Sequence, residues 1–128
     1  MRILVVEPNK APYEKEISSG LKSMQEVVGG LIQAIYPFDE PVALVCNEEG
    51  KLLGLPPNRA LRDSQTGAIY DVVVGTFFLC AAPSDSENFR SLSEEQLKTY
   101  KAVFSLTELF LNIGGQLIVL RNGKEECE

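Results

Sequence analysis

The sequence predicts an α+β domain. A mixed, largely antiparallel β-sheet carries two helices, over about 13–28 and 93–113, packed mainly on one face, and a short strand follows near the C-terminus. Three observations predict this. Apolar runs rich in β-branched and aromatic residues recur between Gly, Pro, Asn and Asp. Two other segments step their apolar residues by three and four. The 128 residues, 45% hydrophobic and 23% charged, suit a single globular domain over 1–128 with a core of its own.

The opening MRILVVEPNK holds a strand over 2–6 that ends at Glu7-Pro8, and its apolar run is too short for a signal peptide. In YEKEISSGLKSMQEVVGG, Tyr13, Ile17, Leu21, Met24 and Val28 line one helix face, and Gly29-Gly30 supply the left-handed cap. Residues 31–36 form the next strand, which Pro37 stops. Strand, helix and strand have the size of a βαβ unit, right-handed if the strands share a sheet and run parallel.

Residues 42–46 and 51–55 are apolar runs separated by NEEG, most simply a hairpin loop with Gly50 at positive φ. LPPNR then stops the strand and presents Asn58 and a partly exposed Arg59 on a stiff loop. Residues 69–82, IYDVVVGTFFLCAA, read as one central strand, with a bulge or close backbone approach at Gly75-Thr76. Asp71 stands at its start or is paired.

Ser93 and Gln96 make a capping box, with Leu92 and Leu97 as a hydrophobic staple. Leu97, Tyr100 and Phe104 form one apolar stripe; Leu106, Leu109, Phe110 and Ile113 form another, displaced around the helix. That asks for a break near Ser105 or for a second chain covering the outer stripe. A homodimer through this helix is the simplest cover. Gly114-Gly115 end the helix, 116–120 are a last strand, and 122–128 a polar tail.

The composition removes much chemistry. With no His, neither a Ser-His-Asp nor a Cys-His arrangement can form, and a zinc site lacks ligands. The two common nucleotide-binding glycine motifs are absent, so neither metal nor cofactor is expected. Cys46 and Cys80 lie in apolar runs and read as buried fillers, and Cys127 is next to the end. With no apolar run of membrane-spanning length, the expected location is cytoplasmic with no membrane contact. The net charge of −6 disfavours direct nucleic-acid binding. The acids occur in scattered pairs, as on a solvated surface.

Four segments in order, QEVVGGLIQAI, NEEGKLLGLPPNR, VVVGTFFLCA and SLSEEQLKTYKAVF, resemble a small bacterial domain family of unknown function that occurs in phages and other mobile elements. The resemblance covers about residues 2–104, leaving 1–105 as a family-like core and 106–128 as a C-terminal extension. Where the family commonly has an acid after GG-x-I, this chain has Gln33. The resemblance implies an accessory gene of a mobile element and brings no activity with it. Motif residues without an evident structural task are the binding candidates: Arg59, Asn58, Gln25 and Thr76, with Asn47 below them.

These readings favour a non-catalytic binding or regulatory module with a protein or small-ligand partner. One alternative is a small enzyme that holds an anionic or amide substrate through Asn58 and Arg59, with Asp71 or Glu48 as base. Another is an acidic nucleic-acid mimic that blocks a host DNA-binding protein.

Overall fold

The structure, a computed structural model, describes residues 1–121. It is mixed α+β with antiparallel sheets. Strands β1 (Arg2–Val6), β2 (Tyr13–Glu16), β3 (Ile32–Ile35), β4 (Val42–Asn47) and β7 (Phe77–Ala81) form one sheet in the order β2-β1-β7-β4-β3. Every neighbouring pair is antiparallel. Strands β5 (Pro57–Arg62) and β6 (Ile69–Val74) make a two-stranded ribbon, as do β8 (Glu108–Ile113) and β9 (Gln116–Arg121). The helices are α1 (Leu21–Val28), the single turn α2 (Gly50–Leu53) and α3 (Glu94–Val103). None of them is long and apolar enough to cross a membrane.

The three central strands are apolar at nearly every position because both faces of the sheet are covered. Ile3, Val5, Ala43, Val45, Phe78 and Cys80 face α1 through Met24 and Val28. Leu4, Val6, Leu44, Phe77 and Leu79 face Leu97, Tyr100 and Phe104 of α3, together with Leu61 and Val73 of the β5–β6 ribbon. The two longer helices thus lie on opposite faces, not mainly on one. A strand alternating apolar residues on both sides needs cover on both.

Several sequence expectations change. Residues 13–16 are a strand and not the start of a helix; β2 protects the edge of β1, and Ile17 N–H donates to the Met1 carbonyl at 2.9 Å. The helix begins after Gly20, which is extended at φ −77° and ψ 160°. No parallel βαβ unit forms, because β3 pairs with β4 and runs opposite to β1. The hairpin expected over 42–55 is replaced by α2, and Gly50 is not at positive φ. β4 already has two partners, β3 and β7, so nothing is left for a third strand to pair with. Residues 69–82 are two strands in two sheets, divided at Gly75 with φ 74°.

The capping box at Ser93 and Gln96 is present in full. α3, however, ends at Val103. Leu106 lies in the connection, and Leu109, Phe110 and Ile113 belong to β8. Gly114 and Gly115, at φ 61° and 81°, are the two-residue turn of the β8–β9 hairpin, not a helix terminus. The last expected strand is there as β9. Cys127 and the tail lie outside the described residues.

Candidate functional site

Asn58 and Arg59, the first candidates from sequence, are each only 1% exposed. Pro57 begins β5, and a register shift between Pro57 and Arg59 breaks the strand's alternation where both side chains are buried. Asn58 Nδ2 donates to the Val6 carbonyl at 2.8 Å and the Gly75 carbonyl at 2.9 Å. Its Oδ1 accepts from Arg59 Nη1 at 2.8 Å. Arg59 Nη2 donates to the carbonyls of Lys10 at 2.8 Å and Phe104 at 3.1 Å. Arg59 Nε has no hydrogen-bond partner among the described residues. Burial draws the guanidinium below its usual pKa range, and the Glu108 carboxylate opposes this. The expected partial exposure of Arg59 is therefore corrected: the residue pins the loop after β1 and the end of α3 to β5.

Asn47 is buried too. Its Nδ2 donates to the Val28 carbonyl at 3.2 Å and its Oδ1 accepts the Glu49 N–H at 2.8 Å. A Cβ on Gly30 would stand 2.9 Å from that Nδ2. A Cβ on Gly50 would stand 2.9 Å from Val74 Cγ2, and one on Gly75 2.7 Å from Leu55 Cδ1. The separated motifs VVGG, NEEG, LPPNR and VVVGT are thus one another's packing partners. Thr76 is half-buried next to this junction. Gln25 is half-buried on α1, across the sheet from β5, so the structure does not bring it together with Asn58 and Arg59.

Beside the buried arginine opens a cleft of about 720 Å³. Tyr36, Phe38, Asp39 and Glu40 of the β3–β4 loop form one wall, and Tyr100 and Val103 of α3, with Phe104 just past its end, another. The end of β5 contributes Arg62 and Asp63, β6 contributes Tyr70, and the hairpin contributes Glu108 and Arg121. Asn58 and Arg59 do not line it.

Aromatic packing shapes the cleft. The Phe38 ring is tilted against Tyr100 at 4.7 Å between centroids and meets Phe104 edge-on at 6.2 Å. Glu108 is buried; its Oε1 accepts the Ala60 N–H at 2.9 Å and its Oε2 accepts from Arg62 Nη1 at 3.0 Å. Arg121 Nε stands 3.5 Å from the same Oε2. Burial, then the charges of Glu40 and Asp39, push the Tyr100 phenol up. Tyr36 and Tyr70 stay 61% and 59% exposed.

A smaller cleft of about 270 Å³ holds Cys46, Asn47, Lys51 and Asp71. Lys51 Nζ lies 2.6 Å from Asp71 Oδ1. Burial works to raise the Asp71 carboxyl, but Lys51 and the Val72 N–H outweigh it and hold the carboxyl low. Burial raises both thiols, Cys80 to about 12.

The sequence reading passed over Tyr36, Phe38, Arg62, Tyr70, Glu108 and Arg121. One signal was present: Glu108 is the only charged residue between Lys101 and Arg121. A lone acid in an apolar stretch either stays in water or, if its segment is buried, needs partners there. The aromatic residues carried no such mark, since each could equally have been core.

Comparison with known proteins adds one relation. No curated protein and no solved structure gives a significant match. Residues 1–105 match the family model described as a domain of unknown function, DUF3846. The match runs through every element from β1 to α3 and stops short of the C-terminal hairpin, and the chain belongs to the DUF3846 family.

Proposed function

We propose that the protein is a non-catalytic binding module and that its ligand seats in the 720 Å³ cleft. The observation that carries this is the lining itself. Exposed tyrosines stand over a packed aromatic floor, next to guanidinium groups held in place by a buried carboxylate. Ligand sites commonly have this character, apolar walls with a few fixed polar groups. The motif residues are engaged in packing, so recognition falls to residues around them. The resemblance supports the setting of a mobile-element accessory gene, and the buried free thiols of Cys46 and Cys80 fit a reducing compartment such as the cytoplasm. A fragment screen on the ¹⁵N-labelled chain tests the proposal. Saturable shifts clustered at residues 36–40, 60–64 and 70 are expected. Hits confined to other surfaces, or none, would reject the cleft.

A second reading concerns assembly. Leu109, Ile113, Leu117 and Leu120 are about half exposed, and residues 109–120 carry no charge. The β8–β9 register runs without a bulge. Such an edge has none of the charges, prolines or irregularities that keep strands from pairing. In a chain of net charge −6, this neutral ribbon is where a second copy can approach without repulsion. We infer a twofold dimer through the hairpin, in place of the helix first expected. Sedimentation should show the intact chain as a dimer and the exposed-site variants Ile113→Lys and Leu120→Lys as monomers; a monomeric intact chain would end this reading.

A further inference from the structure

The charges in the cleft are not equivalent. Arg62 and Arg121 share the one carboxylate of Glu108, and Asp63 in the same lining balances the positive charge left over. Asp63 is occupied as well, its Oδ1 accepting the N–H groups of Gln65 at 2.8 Å and Thr66 at 3.0 Å. Asp39 and Glu40 differ. They are exposed, and among the described residues no cation pairs with either carboxylate. Both act electrostatically on the Tyr100 phenol, which puts their charge at the aromatic end of the cleft.

That end therefore combines two features that attract the same ligand. The exposed ring of Tyr36 and the half-buried ring of Phe38 line that end, an aromatic face is negative in its quadrupole, and two unanswered carboxylates line it with them. An anion would meet repulsion there. A neutral ring could stack but would leave the carboxylates unused. A diffuse organic cation uses both, and the net charge of −6 draws it in from a distance.

We propose that the cleft selects organic cations, alkylammonium or guanidinium groups, seated against Tyr36 and Phe38 with Asp39 and Glu40 as counter-charges; the proposal rests on the cleft being the ligand site. The source of the group is a free small ammonium or a basic side chain of a partner peptide, and the probes separate the two.

The test titrates the full ¹⁵N-labelled chain with four probes: choline, its neutral isostere 3,3-dimethyl-1-butanol, benzoate and acetyl-arginine amide. The cations should shift the amides of residues 36, 38–40 and 70 saturably, with affinity about fivefold or more above the neutral isostere. Tighter binding of choline assigns a small ammonium, and tighter binding of acetyl-arginine amide a basic side chain. Exchanging both exposed acids, Asp39→Asn with Glu40→Gln, should remove the preference for cations and leave the melting temperature unchanged. Equal binding of choline and its isostere, or a preference for benzoate, overturns the cation proposal while the cleft stands as a ligand site. No saturable shift with any probe also overturns it, and the fragment screen then judges the cleft separately.

Discussion

At the scale of single residues, Arg59 shows what a local motif conveys and what it hides. LPPNR announces rigidity and a planar fork of donors. It does not announce that the acceptors come from Lys10 and Phe104, 49 and 45 positions away. Removing the fork leaves those carbonyls and Asn58 Oδ1 without their donor in a buried place. Arg59→Ala is expected to lose roughly 3 kcal/mol or more of unfolding free energy, each buried unsatisfied group costing about 1–3 kcal/mol. Urea unfolding measures it, and ligand binding by the folded fraction should change little. This reverses the reading of Arg59 from sequence as a partly exposed binding residue. A second residue-scale outcome concerns Tyr13, whose hydroxyl donates to Glu7. That bond, then burial and the Glu7 charge, push the phenol up to about 12 from an ordinary 10.0. The folded pKa is raised, so this contribution is full below pH 10.0 and is lost as pH climbs towards about 12. Glu7 is lowered by the same bond, so its share is lost as pH falls below 4.5. The stability gap between the wild type and Tyr13→Phe should therefore be widest near neutral pH and close towards pH 12.

At the scale of elements, apolar runs located the strands well and their partners poorly. Residues 2–6, 42–46 and 116–120 are strands as read, because a β-rich run between breakers has few other uses. Residues 69–82 misled, since a chain that leaves one sheet for another reads the same as a chain that stays. The difference lies in Gly75, which turns the chain at φ 74° with Leu55 against it. Gly75→Ala should cost about 1–3 kcal/mol for the left-handed backbone alone, and more for a Cβ 2.7 Å from Leu55 Cδ1. In the background of Leu55→Ala the 2.7 Å contact with Cδ1 is gone, leaving the backbone share and a milder approach to the residue 55 Cβ at 3.3 Å. The same substitution measured in both backgrounds should differ, and equal costs would show that the contact is relieved without strain. The 13–28 segment misled for another reason. Its period suited a helix, but the exposed edge of β1 claimed residues 13–16.

At the scale of the whole molecule, the family domain and the hairpin are joined by more than a peptide bond. Glu108 reaches back to Ala60 N–H and Arg62. A chain ended at Ser105 should be less stable by roughly 2–3 kcal/mol, the cost of a buried N–H and a partly buried guanidinium losing their acceptor. Adding the hairpin back with Glu108→Ala should restore little of it; full recovery would show that the ribbon stabilises by apolar cover instead. The α+β class and the sheet-forming runs were legible because they follow from local pattern. The cleft was not, because its walls come from five segments that only the fold assembles. The reach of Glu108 also bears on how such a domain changes in evolution. An appended ribbon that supplies the carboxylate for a buried arginine's neighbourhood is no longer an ornament that deletion can remove. A family member without this ribbon would leave the N–H at the position of Ala60, and the positive charge beside it, to water or to a residue of its own. Gain of the hairpin would free that residue to drift, and its later loss would then be barred until the residue returned. Such a ribbon would be easier to acquire than to give back.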